Sequence, residues 1–295
     1  MRLHRLVICL ALCLAPAAAL AAEPNWPAEL TIALISNESS TEVVRRWMPI
    51  LAQLERDLGV KVKPLPSTDY RGTIEALRFK KAELGWLGPK AYIEAATNNY
   101  ANVEAIAQVE SANGSSGYRS CLIAHTDSDL FSPEHLQGRT FAFNDPNSTS
   151  GYLVPMALFL NEMGVNPKSY FSKLTFSGSH ESSVMAVAAK KVDAASTSLN
   201  HVENNAREGK IPRAALRVIW VSKLIPQDPI AIRKDLPASL SRAIQDSLVR
   251  MKAKHPEAFA QGGANLGGFV KADDATYEVI RELNETTKRL ASSGK

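Results

Sequence analysis

Residues 144–152 read Asn-Asp-Pro-Asn-Ser-Thr-Ser-Gly-Tyr and place three consecutive hydroxyl side chains between an apolar run and an apolar helix. The run 141–143 before them predicts a buried strand, and the spacing from Leu153 to Met163 predicts the helix. A helix N-terminus carries unpaired backbone N–H groups and the positive end of the helix dipole. The hydroxyls from Ser148 to Ser150 therefore predict either an ordinary helix cap or a donor-rich cradle for a tetrahedral oxyanion.

The first 21 residues have the features of a secretory signal peptide. Arg2 and Arg5 form a basic start, Val7 to Leu14 form an apolar core, and Ala19 to Ala21 supply small residues around a cleavage point. The apolar core is too short to span a bilayer, which takes about 20 residues. We therefore expect residues 1–21 to be removed and the mature protein to reside in the periplasm.

Charge and cysteine content argue against several classes of function. The chain has 34 Lys and Arg residues, 30 Asp and Glu residues and a formal net charge of +4, which falls when Arg2 and Arg5 leave with the signal peptide. Nucleic-acid binding, which needs a concentrated basic surface, is not expected. Of the three cysteines only Cys121 remains in the mature chain, which excludes an internal disulfide. A buried inert thiol is the default for Cys121, and a thiol ligand for a thiophilic oxyanion is the alternative.

Apolar strands alternate with helical segments in two successive series, a pattern typical of mostly parallel α/β folds. Two long extended runs, Gly117 to Ala124 and Leu216 to Ser222, separate the series. The prediction is two α/β lobes joined by two crossings, with a ligand cleft between them. The expected lobes comprise residues 22–121 plus 222–295 and residues 122–221.

A second strand-to-helix junction lies at residues 177–182, which read Ser-Gly-Ser-His-Glu-Ser. His180 there is predicted either as a hydrogen-bond donor to an anion or as a solvent-exposed residue beside a capping box. Ser148 with His180 and an Asp would suggest a serine hydrolase, but the chain has no Gly-x-Ser-x-Gly motif. The histidines also lack the spacing of metal ligands, so neither a metal nor a cofactor is expected.

Three aromatic residues and one acid lie near the predicted crossings. Tyr70 and Tyr118 follow polar or glycine-rich residues, so their hydroxyls are expected to reach the cleft, whereas Trp86 is expected in the core. Asp228 lies just beyond the second crossing, where it would pair with a ligand amine or cap a turn.

The mature chain resembles the periplasmic phosphonate-binding proteins of bacterial ABC importers, which have the type II periplasmic binding protein fold. The resemblance implies a receptor, not an enzyme, that closes on a small phosphonate and delivers it to a permease in the inner membrane. A monomer is usual for that family. The matching blocks follow in order from about residue 30 to 235 and comprise Ser67–Tyr70, Arg78-Phe79, Gly117-Tyr118, Asp145–Gly151, Leu153–Pro155, His180-Glu181 and Leu224–Ile230.

The same resemblance implies roles for individual residues. Hydroxyl groups and a helix N-terminus would bind the phosphonate oxygens, a histidine would add a donor, and an aspartate would face the amino group of aminophosphonates. These residues are Tyr70, Tyr118, Ser148, Thr149, Ser150, His180 and Asp228.

One position departs from the family pattern. Aminophosphonate-binding relatives have a glutamate seven residues after the aspartate that matches Asp193, and this chain has Asn200 there as a candidate contact for the ligand tail. The segment Tyr118–Ser120 is similar to relatives that bind phosphite. A receptor for phosphite or a phosphate-type oxyanion therefore stays open as an alternative, as do a sensor that signals to a membrane kinase and an exported serine hydrolase.

Overall fold

The computed structural model describes residues 25–263 and 265–293. The expected signal peptide, residues 1–21, lies outside these residues. No helix in the described part of the chain is long and apolar enough to cross a membrane.

Strands and helices alternate along most of the described chain. The strands are β1 (Glu29–Leu34), β2 (Lys61–Pro66), β3 (Leu84–Trp86), β4 (Val103–Glu110), β5 (Gly117–His125), β6 (Thr140–Phe143), β7 (Lys173–Phe176), β8 (Ala194–Ser198), β9 (Leu216–Pro226), β10 (Pro229–Arg233) and β11 (Gly268–Lys271). The α-helices are α1 (Ser40–Leu58), α2 (Tyr70–Arg78), α3 (Pro89–Ala96), α4 (Val154–Ala157), α5 (Pro167–Tyr170), α6 (His180–Ala188), α7 (Leu199–Arg207), α8 (Ala238–Lys254) and α9 (Glu278–Ser292). Two π-helical turns, Thr149–Leu153 and Leu158–Glu162, flank α4.

The strands form two mixed sheets with the orders β11-β4-β10-β3-β1-β2 and β7-β6-β8-β5-β9. β1 is parallel to β2 and β3, and β6 is parallel to β7 and β8. β5 and β10, the strands that follow the two crossings, run antiparallel to both of their neighbours. A chain that leaves one sheet at its carboxyl edge enters the other sheet at the carboxyl edge that faces it. The strand after each crossing therefore runs antiparallel to its neighbours. The cleft therefore lies at the carboxyl edges of both sheets, the usual ligand position in α/β proteins.

The chain changes sheet between Glu110 and Gly117 and returns between Pro226 and Pro229. We call residues 25–110 and 229–293 lobe 1 and residues 117–226 lobe 2. The boundaries expected from the sequence, at 121/122 and 221/222, fall inside β5 and β9. Those strands pair with each other from Gly117 opposite Pro226 onwards, so backbone pairing assigns both strands entirely to lobe 2. That the two lobes move as units stays a prediction.

The helix faces and ends follow from the sequence pattern. α1 buries the apolar stripe that includes Val43, Trp47 and Ile50, and it ends at Gly59, whose positive φ of 67° suits a glycine. In lobe 2 an aromatic cluster around Phe141 covers one face of the sheet, while a smaller aliphatic cluster covers the other. Cys121 belongs to the aliphatic cluster and is fully buried, which raises the pKa of its thiol. This burial agrees with the default expectation of an inert thiol.

Candidate functional site

The two lobes enclose a cavity of about 30 Å³ between the carboxyl edges of their sheets. A single water needs roughly 10–15 Å³ measured in the same way, so the cavity suits a small ligand. No Lys or Arg lines it among the described residues. Its walls are therefore built from hydroxyls, amides, rings and one carboxyl group. The lining residues are Ile35, Asn37, Tyr70, Trp86, Gly88, Tyr118, Ser148, Thr149, His180, Ser198, Asn200, His201, Gln227, Asp228 and Asn265.

Ser148 is both a helix cap and part of the cavity wall. Its backbone is extended, with φ of −76° and ψ of 137°, and its Oγ accepts a hydrogen bond from the Gly151 N–H at 3.0 Å. The local cap interpretation is thus confirmed. Because Ser148 and Thr149 also line the cavity, the cap places these hydroxyls where an anion would lie against the start of the helix.

The helix after Ser148 differs from the single α-helix expected from the sequence. It is π-helical over Thr149–Leu153, and Pro155, at the start of α4, has no N–H with which to reach Gly151. The Gly151 carbonyl instead accepts from the Asn144 N–H at 2.9 Å and from Ser196 Oγ at 2.7 Å. This wide first turn therefore anchors the hydroxyl stretch to the β6 and β8 ends of the sheet.

Gly151 makes the close approach to the sheet possible. A Cβ at this position would lie 2.3 Å from the Asn144 Cβ, far inside contact distance. The glycine in the stretch 144–152 is therefore required by packing rather than by an unusual backbone angle.

Thr149 and Ser150 differ in what they face. Thr149 Oγ1 accepts from the backbone N–H of Lys90 at 2.8 Å, a hydrogen bond that joins the two lobes. Ser150 is not among the lining residues, and its buried Oγ makes no well-formed hydrogen bond although it lies beside the Tyr118 hydroxyl. Its carbonyl accepts from Ser120 Oγ at 2.6 Å. Thr149 thus lies at the cavity, and Ser150 lies behind Tyr118.

Tyr70 contributes a buried hydroxyl from lobe 1. It is the first residue of α2, follows the cap residue Asp69, and is 2% exposed. Its side chain lies beside Ser148, and its backbone N–H donates to Asp145 Oδ2 across the cleft at 3.4 Å. Burial and the nearby Asp228 raise its pKa well above the usual range, so the hydroxyl stays a protonated donor. Tyr70 and Tyr118 both reach the cleft, as the sequence predicts.

Asp228 is the carboxyl group of the cavity and lies in the second crossing. Burial raises its pKa to about 7, an effect that the neighbouring Trp86 indole partly offsets. Trp86 packs on Trp47 with ring centroids 5.0 Å apart, in agreement with the core position expected for it. It also lines the cavity, which was not expected from the sequence. Asp228 can therefore donate or accept a hydrogen bond near neutral pH.

His180 is buried, so the alternative that placed it in solvent is wrong. It follows the cap residue Ser179 at the start of α6, and its Nδ1 lies 3.0 Å from Thr197 Oγ1. Its ring stacks on His201 with centroids 4.4 Å apart. Desolvation, with a contribution from His201, lowers the pKa of His180, and desolvation lowers that of His201 to about 3. Both rings are therefore neutral at pH 7.

Three lining residues that lie together, Asn37, His201 and Asn265, were not predicted from the sequence as site residues. His201 Nε2 lies 3.4 Å from the Nδ2 atoms of both Asn37 and Asn265. Asn37 follows β1, and His201 follows β8 together with the predicted Asn200, so the rule that ligands lie at the carboxyl ends of parallel strands points to them. Asn265 lies in a loop before β11, and no local pattern in the sequence marks it.

The family comparison covers most of the chain. The model of the family described as "ABC transporter, phosphonate, periplasmic substrate-binding protein" matches residues 32–277. The phosphonates-binding periplasmic protein of Escherichia coli (strain K12) is 35% identical over 258 residues, which are 86% of this chain and 75% of that protein.

Solved structures agree with the fold. The binding protein component of an ABC phosphonate transporter from Pseudomonas aeruginosa superposes with a TM-score of 0.84 at 33% identity, over 90% of this chain and 89% of that one. PhnD1 from Prochlorococcus marinus (MIT 9301), solved in complex with methylphosphonate, gives a TM-score of 0.77 at 23% identity, over 88% of this chain and 98% of that one. The fold is that of type II periplasmic binding proteins. The chain therefore belongs to the periplasmic phosphonate substrate-binding proteins of ABC transporters, and it is a transport component rather than an enzyme.

Proposed function

We propose that this protein captures a small phosphonate in the periplasm and presents it to the permease of an ABC importer. The observation that carries the proposal is the cavity itself, in which neutral donors from both lobes converge without a lysine or arginine side chain among the lining residues. Binding an anion in this way relies on hydrogen bonds to the charged oxygens, each worth about 1.5–3 kcal/mol.

The oxyanion head is assigned to the Ser148 side of the cavity. Ser148 and Thr149 would donate from the helix start, and the neighbouring hydroxyls of Tyr70 from lobe 1 and Tyr118 from lobe 2 would donate beside them. His180 would add a ring N–H, a role supported by its Nδ1, which faces Thr197 Oγ1 and leaves the other ring nitrogen for the cavity. Ser150 would support Tyr118 rather than touch the ligand.

The organic tail is assigned to the side of Asp228 and Asn200. An ammonium group favours charged partners when it is desolvated, and the cavity has one carboxyl group among its lining residues where aminophosphonate-binding relatives are expected to have two. The small cavity and Asn200 both support a short tail such as a methyl group. They also favour phosphite as a second candidate, because phosphite has no carbon tail to accommodate.

Closure of the lobes around the ligand would create the form that docks on the permease. Hydrogen bonds between lobes, such as the Lys90 N–H to Thr149 Oγ1, form at the cavity wall itself. Ligand contacts and lobe contacts would therefore strengthen together. A monomeric receptor is the expected form.

Calorimetric titration of the mature protein with methylphosphonate, 2-aminoethylphosphonate, phosphite and phosphate tests the proposal. We expect stoichiometric binding without turnover, with methylphosphonate or phosphite bound more tightly than phosphate. A thermal-shift measurement is the control, because ligand at 100 times its dissociation constant stabilises the folded state by about 2.7 kcal/mol. If none of the four ligands binds, the proposal is wrong.

A further inference from the structure

Four charged side chains join the lobes at the rim of the cleft, outside the ligand cavity. They are Arg46 from lobe 1 and Glu181, Glu208 and Lys210 from lobe 2, and we call them the rim cluster. None of the four lines the cavity. Whatever they contribute to ligand binding therefore acts without contact, through the arrangement of the lobes or through the charges of Arg46 and Lys210, which reach the cavity-lining His201.

Arg46 makes the central contact between the lobes. Its side chain is 9% exposed, and its Nη2 lies 2.5 Å from Glu208 Oε1 in lobe 2. Its Nη1 donates to the Gln261 carbonyl at 2.9 Å, and its Nε donates to Glu38 Oε2 at 2.9 Å, both within lobe 1. The guanidinium is thus held in place by lobe 1 and directed at a carboxylate of lobe 2.

Glu181 makes a second contact between the lobes at the start of α1. Its Oε2 accepts from the Ser39 N–H at 3.3 Å, and its own N–H donates to the Asn37 carbonyl at 3.3 Å. A carboxylate at a helix N-terminus is favoured by the helix dipole. Lys210 links this contact to the first one, because its Nζ lies 3.2 Å from Glu181 and 3.3 Å from Glu208.

Each charge in the rim cluster keeps a partner in its own lobe when the lobes separate. Arg46 retains Glu38, while Glu181 and Glu208 both retain Lys210. Opening therefore leaves no buried charge unpaired, which would otherwise be costly. The cluster favours the closed form by a moderate amount and does not lock it.

We propose that the rim cluster sets the fraction of molecules with closed lobes and thereby sets ligand affinity without contacting the ligand. The proposal rests on the function proposed above only for the identity of the ligand. If only closed molecules hold ligand tightly, the apparent dissociation constant is the intrinsic one divided by the closed fraction. A change in the cluster then weakens every ligand by the same factor.

The test compares Glu208→Gln with the wild-type protein. The substitution removes the lobe 2 carboxylate, leaves Arg46 paired with Glu38, and is expected to weaken methylphosphonate and phosphite by the same factor of about three to ten. Asp127→Asn is the matched control, because Asp127 pairs with Lys190 at 2.8 Å entirely within lobe 2. That control is expected to bind both ligands like the wild type.

Calorimetry gives the two factors, and small-angle X-ray scattering gives the radius of gyration of each ligand-free protein. Ligand-free Glu208→Gln is expected to have a larger radius of gyration than the wild type. Unchanged affinity, or a loss that differs between the two ligands, overturns the proposal. If the wild type binds neither ligand, the proposed function is wrong. Scattering then tests the rim cluster by itself, and equal radii of gyration for the wild type and Glu208→Gln would overturn the proposal.

Discussion

The two lobes place the same local structure at the start of a helix and use it differently. In lobe 1 Ser39 caps α1 and accepts from the Glu42 N–H at 3.3 Å, and in lobe 2 Ser148 caps its helix and accepts from the Gly151 N–H at 3.0 Å. Two further hydroxyl residues follow each cap. Yet Ser39 is exposed and its N–H faces the Glu181 carboxylate, whereas Ser148 is 1% exposed and lines the cavity.

Helices α2 of lobe 1 and α6 of lobe 2 show the same relation. Tyr70 follows the cap residue Asp69, and His180 follows the cap residue Ser179, with both caps at φ of −150°. Both residues line the cavity, one with a hydroxyl and the other with a ring. The comparison of the lobes indicates that a hydroxyl-rich helix start forms a cap wherever it occurs. Contacts from the facing lobe then determine whether that helix start is open to a ligand or is occupied by a carboxylate of the protein.

The largest difference in ligand affinity is expected when the hydroxyls at the helix start are removed in one lobe or in the other. Ser148→Ala with Thr149→Ala is expected to weaken methylphosphonate binding by roughly 3–6 kcal/mol, because two hydrogen bonds to a charged group are lost. Ser39→Ala with Ser40→Ala removes the equivalent cap, at a cost of about 1 kcal/mol in folding, and should leave affinity nearly unchanged. Calorimetric titration measures affinity, and equal losses in the two double variants would contradict the assignment of the site.

Substitution at the third position after each cap tests the packing difference. Gly151→Ala would push a methyl group against Asn144, so we expect a loss of about 1–3 kcal/mol in the free energy of unfolding, together with weaker binding. Glu42→Ala is the change at the equivalent position in lobe 1, where it removes an ion pair with Arg45 at 2.7 Å on partly exposed surface and is expected to cost at most about 1 kcal/mol. Urea denaturation measures both. A Gly151→Ala protein as stable as the wild type would show that the close approach is not required.

A change in the pH dependence of stability is expected at Asp228, which belongs to the connection between the lobes. Because burial raises its pKa from 3.8 to about 7, the folded protein retains a proton that the unfolded chain has released. The stability of the wild type relative to Asp228→Asn should therefore fall as the pH rises from about 4 to 7, and then level off. Between pH 6 and pH 7 the loss is at most about 1.4 kcal/mol.

Urea denaturation of the ligand-free proteins at a series of pH values measures this trend. Asp127→Asn is the control, because the Lys190 ammonium lowers the pKa of Asp127, which reverses the sign of the dependence. A constant difference between the wild type and Asp228→Asn over the whole range would show that Asp228 titrates normally.

Local sequence predicted the features that depend on neighbouring residues. The cap at Ser148, the C-terminal Gly59 of α1 and the two-lobe alternation all follow from spacing and residue type. The π-helical turn after Ser148 was not predicted, because it depends on hydrogen bonds from Ser196 and Asn144 to Gly151.

Contacts between distant segments account for the other omissions. His201 stacks on His180 across 21 positions of sequence, and Asn265 approaches His201 from a loop 64 positions away. The sequence predicts lobe boundaries that fall within β5 and β9, because apolar content does not reveal that these two strands pair with each other. These features arise from the assembled sheets rather than from any single segment.

The unequal lengths of the two connections between the lobes have a practical consequence. Gln227 and Asp228 alone form one connection, whereas residues 111–116 form the other, and Gln227 Nε2 ties the two together by donating to Ser111 Oγ at 2.6 Å. The longer connection exposes Asn113 and Gly114 at a turn, a type of position that tolerates added chain. If the lobes close on the ligand as proposed, a fluorescent protein inserted between those two residues would respond to closure, which makes this turn a place to build an optical sensor for the ligand.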